Sequence, residues 1–124
     1  MPTDEIIDQA TFAGLLDSLG GDVDFLNELV EAYFDSSPGL FASMQQALAS
    51  GEAPALQRAA HSLKTGSASF GALAFAARCK ELEELAKTGE LAGAAEKYQA
   101  LEAAYAPVAT ALQARVNSAR SAPA

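Results

Sequence analysis

Ala60-His61-Ser62-Leu63-Lys64-Thr65-Gly66-Ser67-Ala68-Ser69-Phe70-Gly71-Ala72 holds the only histidine of a 124-residue chain. Its apolar pattern, begun one turn earlier, runs Leu56, Ala60, Leu63, Ser67 and Phe70. Spacings of four, three, four and three mark one stripe of an α-helix. With that stripe at 0° and about 100° per residue, Lys64 falls near 80°, Gln57 near 100° and Ala68 near 120°. His61 falls near 140° and Thr65 near 180° on the same wheel. The imidazole is therefore expected to face outward, among short side chains and beside an ammonium group.

Outward from this stretch, the rest of the chain reads as helix. Asp8 or Thr11 caps a short helix to about Leu19, with Phe12, Leu15, Leu16 and Leu19 on one side. Gly20-Gly21 ends it and Asp22 caps the next, where Phe25, Leu26, Leu29, Val30, Tyr33 and Phe34 form a wide apolar face. Pro38 interrupts this segment, yet the phase Leu26, Val30, Tyr33, Ser37, Leu40, Met44, Leu48 runs through it. One long, bent helix over about 23–50 follows, closed by Gly51. The His61 helix begins near Pro54, a favourable first-turn position, and ends by Ser69, with Gly71 as the structural turn.

A further helix spans about 72–87, with Leu73, Phe75, Ala76, Cys79, Leu82 and Leu85 inward. Arg78, Lys80, Glu81, Glu83 and Glu84 are read as largely outward. The last helix starts at Glu90 or Leu91 and keeps a heptad through Leu91, Ala94, Tyr98, Leu101, Tyr105, Val108 and Leu112. Arg115 stops the stripe, Val116 is a final contact, and Pro107 should bend the helix. Four long amphipathic segments on short links predict an all-α, antiparallel up-down four-helix bundle, with the short N-terminal helix covering one end. The divisions are a lead-in over 1–7, one bundle domain over 8–116 and a disordered tail over 117–124.

Composition narrows the function. The formal charge is −8, and residues 1–52 hold ten acids and no lysine or arginine. Such a chain repels nucleic acid and anionic membranes, so neither is expected as a partner. Around the histidine the balance is locally positive, because Arg58 and Lys64 lie close by. No apolar run reaches the length of a membrane span and the N-terminus is acidic, so a soluble cytoplasmic protein is expected. A lone Cys79 forms no internal disulfide and reads as a small buried hydrophobe.

Several chemistries lack their parts. One histidine and one cysteine on different faces make no metal site, and paired Glu-x-x-His motifs of di-iron bundles are missing. Ser62 and Ser67 sit mid-helix rather than on a nucleophile elbow, and no Walker-type loop is present. Glu81, Glu83 and Glu84 read as an exposed face rather than a carboxylate pair. A lone surface histidine is most often only a solvated side chain. Here small neighbours at Thr65 and Ala68 leave room for another protein, and neutral imidazole is a good nucleophile toward phosphorus. Lys64 is placed to neutralise charge on a transferred phosphoryl group.

These residues resemble the histidine-containing phosphotransfer (HPt) domain family over about Asp8 to Val116. The likeness rests on Ala60-His61-Ser62-Leu63-Lys64, the small residues after it, Phe70-Gly71-Ala72, and Arg78-Cys79-Lys80-Glu81-Leu82-Glu83. Gly20-Gly21-Asp22 with Phe25-Leu26, and Gly51, add to it. One departure is Thr65, where the family often has glycine. The resemblance implies a phosphorelay carrier whose His61 takes a phosphoryl group, on the nitrogen far from the backbone, from a receiver-domain aspartyl phosphate and passes it to another receiver. It implies that Lys64 steadies the group, that the small positions Thr65 and Ala68 permit close docking, and that no kinase or hydrolase activity resides here; Gln57 and Arg58, on the same side of the helix, are expected to join the docking face. Magnesium and the acidic pocket belong to the receiver, so no cofactor is expected. Narrow apolar stripes point to a monomer. The alternatives are an interaction module that docks a receiver or another partner without carrying phosphate, and the phosphoacceptor domain of a larger histidine kinase.

Overall fold

The computed structural model describes residues 6–121, and every regular element in them is helical. These are α1 (Gln9–Ser18), α2 (Val23–Ser50), α3 (Ala53–Ser69), α4 (Leu73–Lys87) and α5 (Ala94–Ser121). Helix α2 packs on α3, α3 on α4, α4 on α5 and α5 on α2, which closes a four-helix ring. Two- to six-residue links set α3, α4 and α5 each antiparallel to the helix before it.

The caps follow the local chemistry. Asp8 accepts the Thr11 N–H at 3.0 Å and Asp22 accepts the Phe25 N–H at 3.0 Å, each satisfying a free donor of a first turn. Gly51 ends α2 in the left-handed region, at φ +70°. Pro38 lies inside an unbroken α2, as the continuous phase predicts. The Ser36 and Ser37 hydroxyls both donate to the Tyr33 carbonyl just upstream of it.

The α3 stripe is buried throughout: Leu56, Ala60, Leu63, Ser67 and Phe70 are at most 6% exposed. Leu26, Val30 and Met44 from α2, Leu82 from α4, and Leu101, Leu112 and Val116 from α5 complete the fully buried centre. Each such aliphatic side chain contributes about 1.5–3 kcal/mol by leaving water. Tyr33 anchors an aromatic layer, its ring centroid 5.4 Å from Phe70 and 6.1 Å from Tyr105.

Helix α1 lies against the end of α3, where Ile7 and Phe12 are buried. The Asp8 N–H donates to the Gly71 carbonyl at 2.7 Å, and the Arg115 guanidinium of α5 bonds to the Ile7 carbonyl and the Gln9 side chain. The short helix thus covers the end of the bundle that contains the α3–α4 corner.

Several expectations are corrected. In the second half of α2 the buried positions are Phe41, Met44 and Ala47; Leu40 and Leu48 are only partly covered, and Phe25 is 45% exposed. Leu73 is 47% exposed, because α4 starts there and Ala72 takes the inward place. Helix α5 begins at Ala94 instead of Glu90 or Leu91, since Gly89 and Gly93 adopt φ +79° and +81°, outside the helical region. It also continues through Asn117–Ser121, where a disordered tail is expected from the sequence. The Gln113 side chain donates to Asn117 one turn on, and Arg120 reaches Asp24 of α2 at 3.4 Å, which holds this last turn against the bundle. The remainder of that tail, residues 122–124, and residues 1–5 of the lead-in lie outside the described residues.

Candidate functional site

His61 follows the fully buried Ala60 and precedes Leu63 by two residues, so the helix turns its side chain away from the core. Its side chain is 56% exposed. The outward imidazole read from the sequence is what the fold presents.

Facing it is a residue that sequence reasoning misplaced. Glu83 of α4 is expected among the solvated carboxylates, yet its side chain is only 5% exposed. Its Oε2 lies 2.9 Å from His61 Nδ1 and its Oε1 accepts from Lys64 Nζ at 2.7 Å. A charged residue at a buried position is tolerated when each oxygen has a partner. The signal was present in the register: Ala76, Cys79, Glu83 and Ala86 recur at three, four and three, and all four are buried. Its charge masks that phase. The small side chains of that stripe let α4 approach α3 closely enough for the carboxylate to reach across.

The electrostatics follow from this arrangement. Burial pushes the Glu83 carboxyl up, but hydrogen bonds from Lys64 and His61, followed by their charges, outweigh it and hold the group below the usual glutamate range. Glu83 is therefore an anion at neutral pH, and a carboxylate can only accept. His61 Nδ1 must then carry the proton, which in the neutral ring leaves the lone pair on Nε2. Nε2 makes no hydrogen bond among the described residues. The tautomer is thus assigned by the partner: proton inward, nucleophilic nitrogen outward.

Other site candidates separate into two groups. Thr65 and Ala68 lie with Lys64 along an open groove between α3 and α4, continued by Leu73, Ala76 and Lys80. The Thr65 hydroxyl donates to the His61 carbonyl at 3.1 Å, so it is turned onto its own helix. Gln57, half-buried, and Arg58, exposed, sit one turn before His61 and outside that groove. Gly71 adopts φ +94° at the α3–α4 corner, and a β-carbon there would come within 2.8 Å of the Asp8 carbonyl oxygen. Cys79 is fully buried beneath the ion pair, and burial pushes its thiol up to about 12. Among the described residues no group of three or more histidine, cysteine or carboxylate side chains is arranged to hold a metal ion, and no helix is long and apolar enough to cross a membrane.

Comparison with known proteins identifies the fold. The family model described as Hpt domain matches residues 28–117. The crystal structure of histidine-containing phosphotransfer protein B (HptB) from Pseudomonas aeruginosa PAO1 is similar, with a TM-score of 0.83 and 31% sequence identity. That match covers 93% of this chain and 97% of the other. A search of curated proteins gives no match. On the family match over most of its length and on the shared fold, the chain belongs to the Hpt domain family, as a histidine phosphotransfer protein of phosphorelay signalling.

Proposed function

We propose that His61 is the phosphoacceptor and that this protein relays a phosphoryl group between two receiver domains. The observation that carries the reading is the 2.9 Å contact from His61 Nδ1 to the buried Glu83 carboxylate on a side chain that is 56% exposed, which in the neutral ring leaves the lone pair on Nε2. In the inward transfer the Nε2 lone pair attacks the phosphorus of a receiver's aspartyl phosphate. The bond from phosphorus to the carboxylate oxygen breaks, and the aspartate leaves as an anion. The outward transfer reverses these steps on a second receiver.

Lys64 steadies the transferred group as a neighbouring cation, one turn from His61 on the same helix. Thr65 and Ala68 keep the approach low, and Gln57 and Arg58 extend the docking face past the histidine. Gly71 holds the corner that sets α4, and so Glu83, beside α3. The chemistry that activates the phosphoryl group, magnesium included, belongs to the receiver, and the carrier has no kinase activity of its own. It works as a cytoplasmic monomer, and the bundle from Asp8 to Val116 is the functional unit.

Incubation with a radiolabelled, phosphorylated receiver tests this. The wild-type chain should take up an acid-labile, base-stable label, whereas His61→Gln should take up none while keeping its helical circular dichroism. Label on the His61→Gln protein would refute the assignment. An unlabelled wild type that still binds receivers would favour the interaction module instead. Lys64→Ala should transfer more slowly; an unchanged rate would remove Lys64 from the mechanism.

A further inference from the structure

Across the bundle from His61 lies a second seam. The helices close a ring in the order α2, α3, α4, α5, which sets the α2–α5 seam opposite the α3–α4 groove. Two open grooves run along it. One is bounded by Pro38, Phe41 and Ala42 of α2 and by Tyr98, Glu102 and Tyr105 of α5. The other, nearer the start of α2, lies between Phe34 and the α5 residues Ala109, Ala114 and Asn117. Phe34, Pro38 and Phe41 recur at four and three, and Tyr98, Glu102, Tyr105 and Ala109 at four, three and four, so both grooves open on one face. From Tyr98 to Asn117 they follow α5 for about 28 Å, at about 1.5 Å per residue.

The rims of these grooves are acidic. Glu31 precedes Phe34 and Pro38 by three and seven residues, and Asp35 stands likewise before Pro38 and Ala42, so both carboxylates flank the grooves on α2. Glu102 flanks them on α5, and all three acids are exposed. Helix α2 contains no lysine, arginine or histidine. The bases of α5 are turned elsewhere: Lys97 to Glu81 at 3.7 Å, Arg120 to Asp24 at 3.4 Å, and Arg115 to Ile7 and Gln9. Asn27 donates to Glu31 and the Tyr98 hydroxyl to Glu102, each at 3.3 Å, and these neutral donors leave both charges in place. Among the described residues no lysine or arginine pairs with Glu31, Asp35 or Glu102.

We propose that the α2–α5 seam docks a basic amphipathic helix of a partner protein, its apolar side chains in the two grooves and its lysines or arginines against Glu31, Asp35 and Glu102. A helix laid in a groove needs apolar hollows spaced along one line, and the seam offers two over about five turns. Exposed ion pairs add little affinity and act mainly on orientation and choice of partner. The apolar contacts with Phe34, Phe41 and Tyr105 therefore carry the binding, and the acids select a cationic guest. Pro38 also withholds an N–H from the Phe34 carbonyl at the edge of the second groove, an acceptor that a guanidinium or ammonium group can use. Because the seam and His61 lie on opposite sides, a helix held here does not compete with a protein docked at the histidine. The site is separate from the carrier chemistry and does not depend on it.

The test uses the full chain and a synthetic probe, an acetylated and amidated helical peptide of about 20 residues, which matches the length of the seam. Leucines stand at three- and four-residue spacing with lysines elsewhere, and a twin peptide carries glutamate in place of lysine. In nitrogen-15 NMR the lysine peptide should shift the amides of Phe41, Ala42, Tyr105 and Ala114 and leave those of His61 and Ala68 unmoved; the glutamate peptide should shift none. Glu31→Gln, Asp35→Asn and Glu102→Gln together should weaken binding about tenfold or more. Asp17→Asn, Glu52→Gln and Glu90→Gln together remove the same charge from exposed positions off the seam and should weaken it less than about threefold. Ala42→Gln with Ala114→Gln fills the grooves without altering charge and should weaken binding about tenfold. All these positions are exposed, so the variants should keep the helical circular dichroism of the wild type. Equal losses in the two triple variants would reveal general attraction to an acidic chain and overturn the proposal. Unchanged binding by the filled variant, shifts centred on the α3–α4 groove, or a lysine peptide that does not bind would each overturn it as well.

Discussion

Gly71 and Asp8 are joined backbone to backbone: the Asp8 N–H donates to the Gly71 carbonyl at 2.7 Å, and Gly71 holds φ +94° to allow it. The same carbonyl also accepts the Leu73 N–H at 2.8 Å, so one oxygen ties α1 to the start of α4. A side chain here is opposed twice, by the backbone conformation and by the Asp8 oxygen 2.8 Å from the added carbon.

Gly71→Ala is therefore expected to cost roughly 2–4 kcal/mol, from backbone strain and loss of the tie to α1. Gly89→Ala is the internal control. It has a similar φ of +79° but nothing within 4 Å of the added carbon, so about 1–2 kcal/mol is expected. Urea unfolding of the two variants checks this. Equal losses would show that the close approach to Asp8 adds nothing.

The Tyr33 and Ser67 hydroxyls form a second long-range tie, 2.7 Å apart inside the core between α2 and α3. Tyr33→Phe or Ser67→Ala leaves one buried hydroxyl without its partner and should cost about 1–3 kcal/mol. The double variant removes both polar groups, so its loss should be smaller than the two single losses added together. Strict additivity in chemical denaturation would mean the two hydroxyls do not support each other.

Cys79 offers a test of packing without any change of sequence. It is fully buried, and burial pushes its thiol up to about 12, so at pH 8 it is neither accessible nor ionised. Iodoacetamide should leave the native protein unmodified over hours and label it within minutes in denaturant, as read by mass spectrometry. Rapid labelling of the native protein would place this face of α4 in exchange with an open state.

The sequence made the bundle legible because apolar phase is a property of the whole stripe. Leu56, Ala60, Leu63, Ser67 and Phe70 share one face, and a single polar member such as Ser67 does not break it. Phase also put His61 outside. It failed at ends, where glycine conformation decides: Gly93 delays α5 to Ala94, and the start of α4 at Leu73 turns that leucine outward. Glu83 was missed for a different reason. Three glutamates within four residues look like one solvated face, and only the partners on α3 explain why the middle one is buried. The register shared with Ala76, Cys79 and Ala86 marks the position as inward, but the partners that make a charge tolerable there lie on another helix, beyond the reach of periodicity.

That burial makes the two bonds to Glu83 unequal in their consequences for stability. Removing His61 leaves Glu83 with Lys64, so His61→Gln should change stability by less than about 1 kcal/mol. Removing Lys64 strands a buried carboxylate without its cation. Lys64→Met should cost about 1–3 kcal/mol, less than a fully enclosed pair because the lysine is 27% exposed. Adding Glu83→Gln to Lys64→Met should recover part of that loss. If the double variant is no more stable than Lys64→Met, the stranded charge is not the cause.

The same carboxylate gives acid stability a defined sign. The Glu83 carboxyl titrates below its ordinary value of 4.5 in the folded chain, because hydrogen bonds from Lys64 and His61 overcome the cost of burial. Just under that ordinary value the unfolded chain takes up its proton first, so the stabilising contribution of Glu83 is complete above it and declines as pH falls through the folded-state value. Glu83→Gln lacks this contribution at every pH. The stability gap between wild type and Glu83→Gln, measured by urea unfolding, should therefore narrow as pH falls from about 5 through 4.5 and below. Differencing the two proteins removes the effect of the other acids, which are numerous in a chain of formal charge −8. A gap that instead widened below about pH 5 would mean the folded state holds the Glu83 proton more tightly than the unfolded one, and that burial, not the lysine and histidine, governs this group.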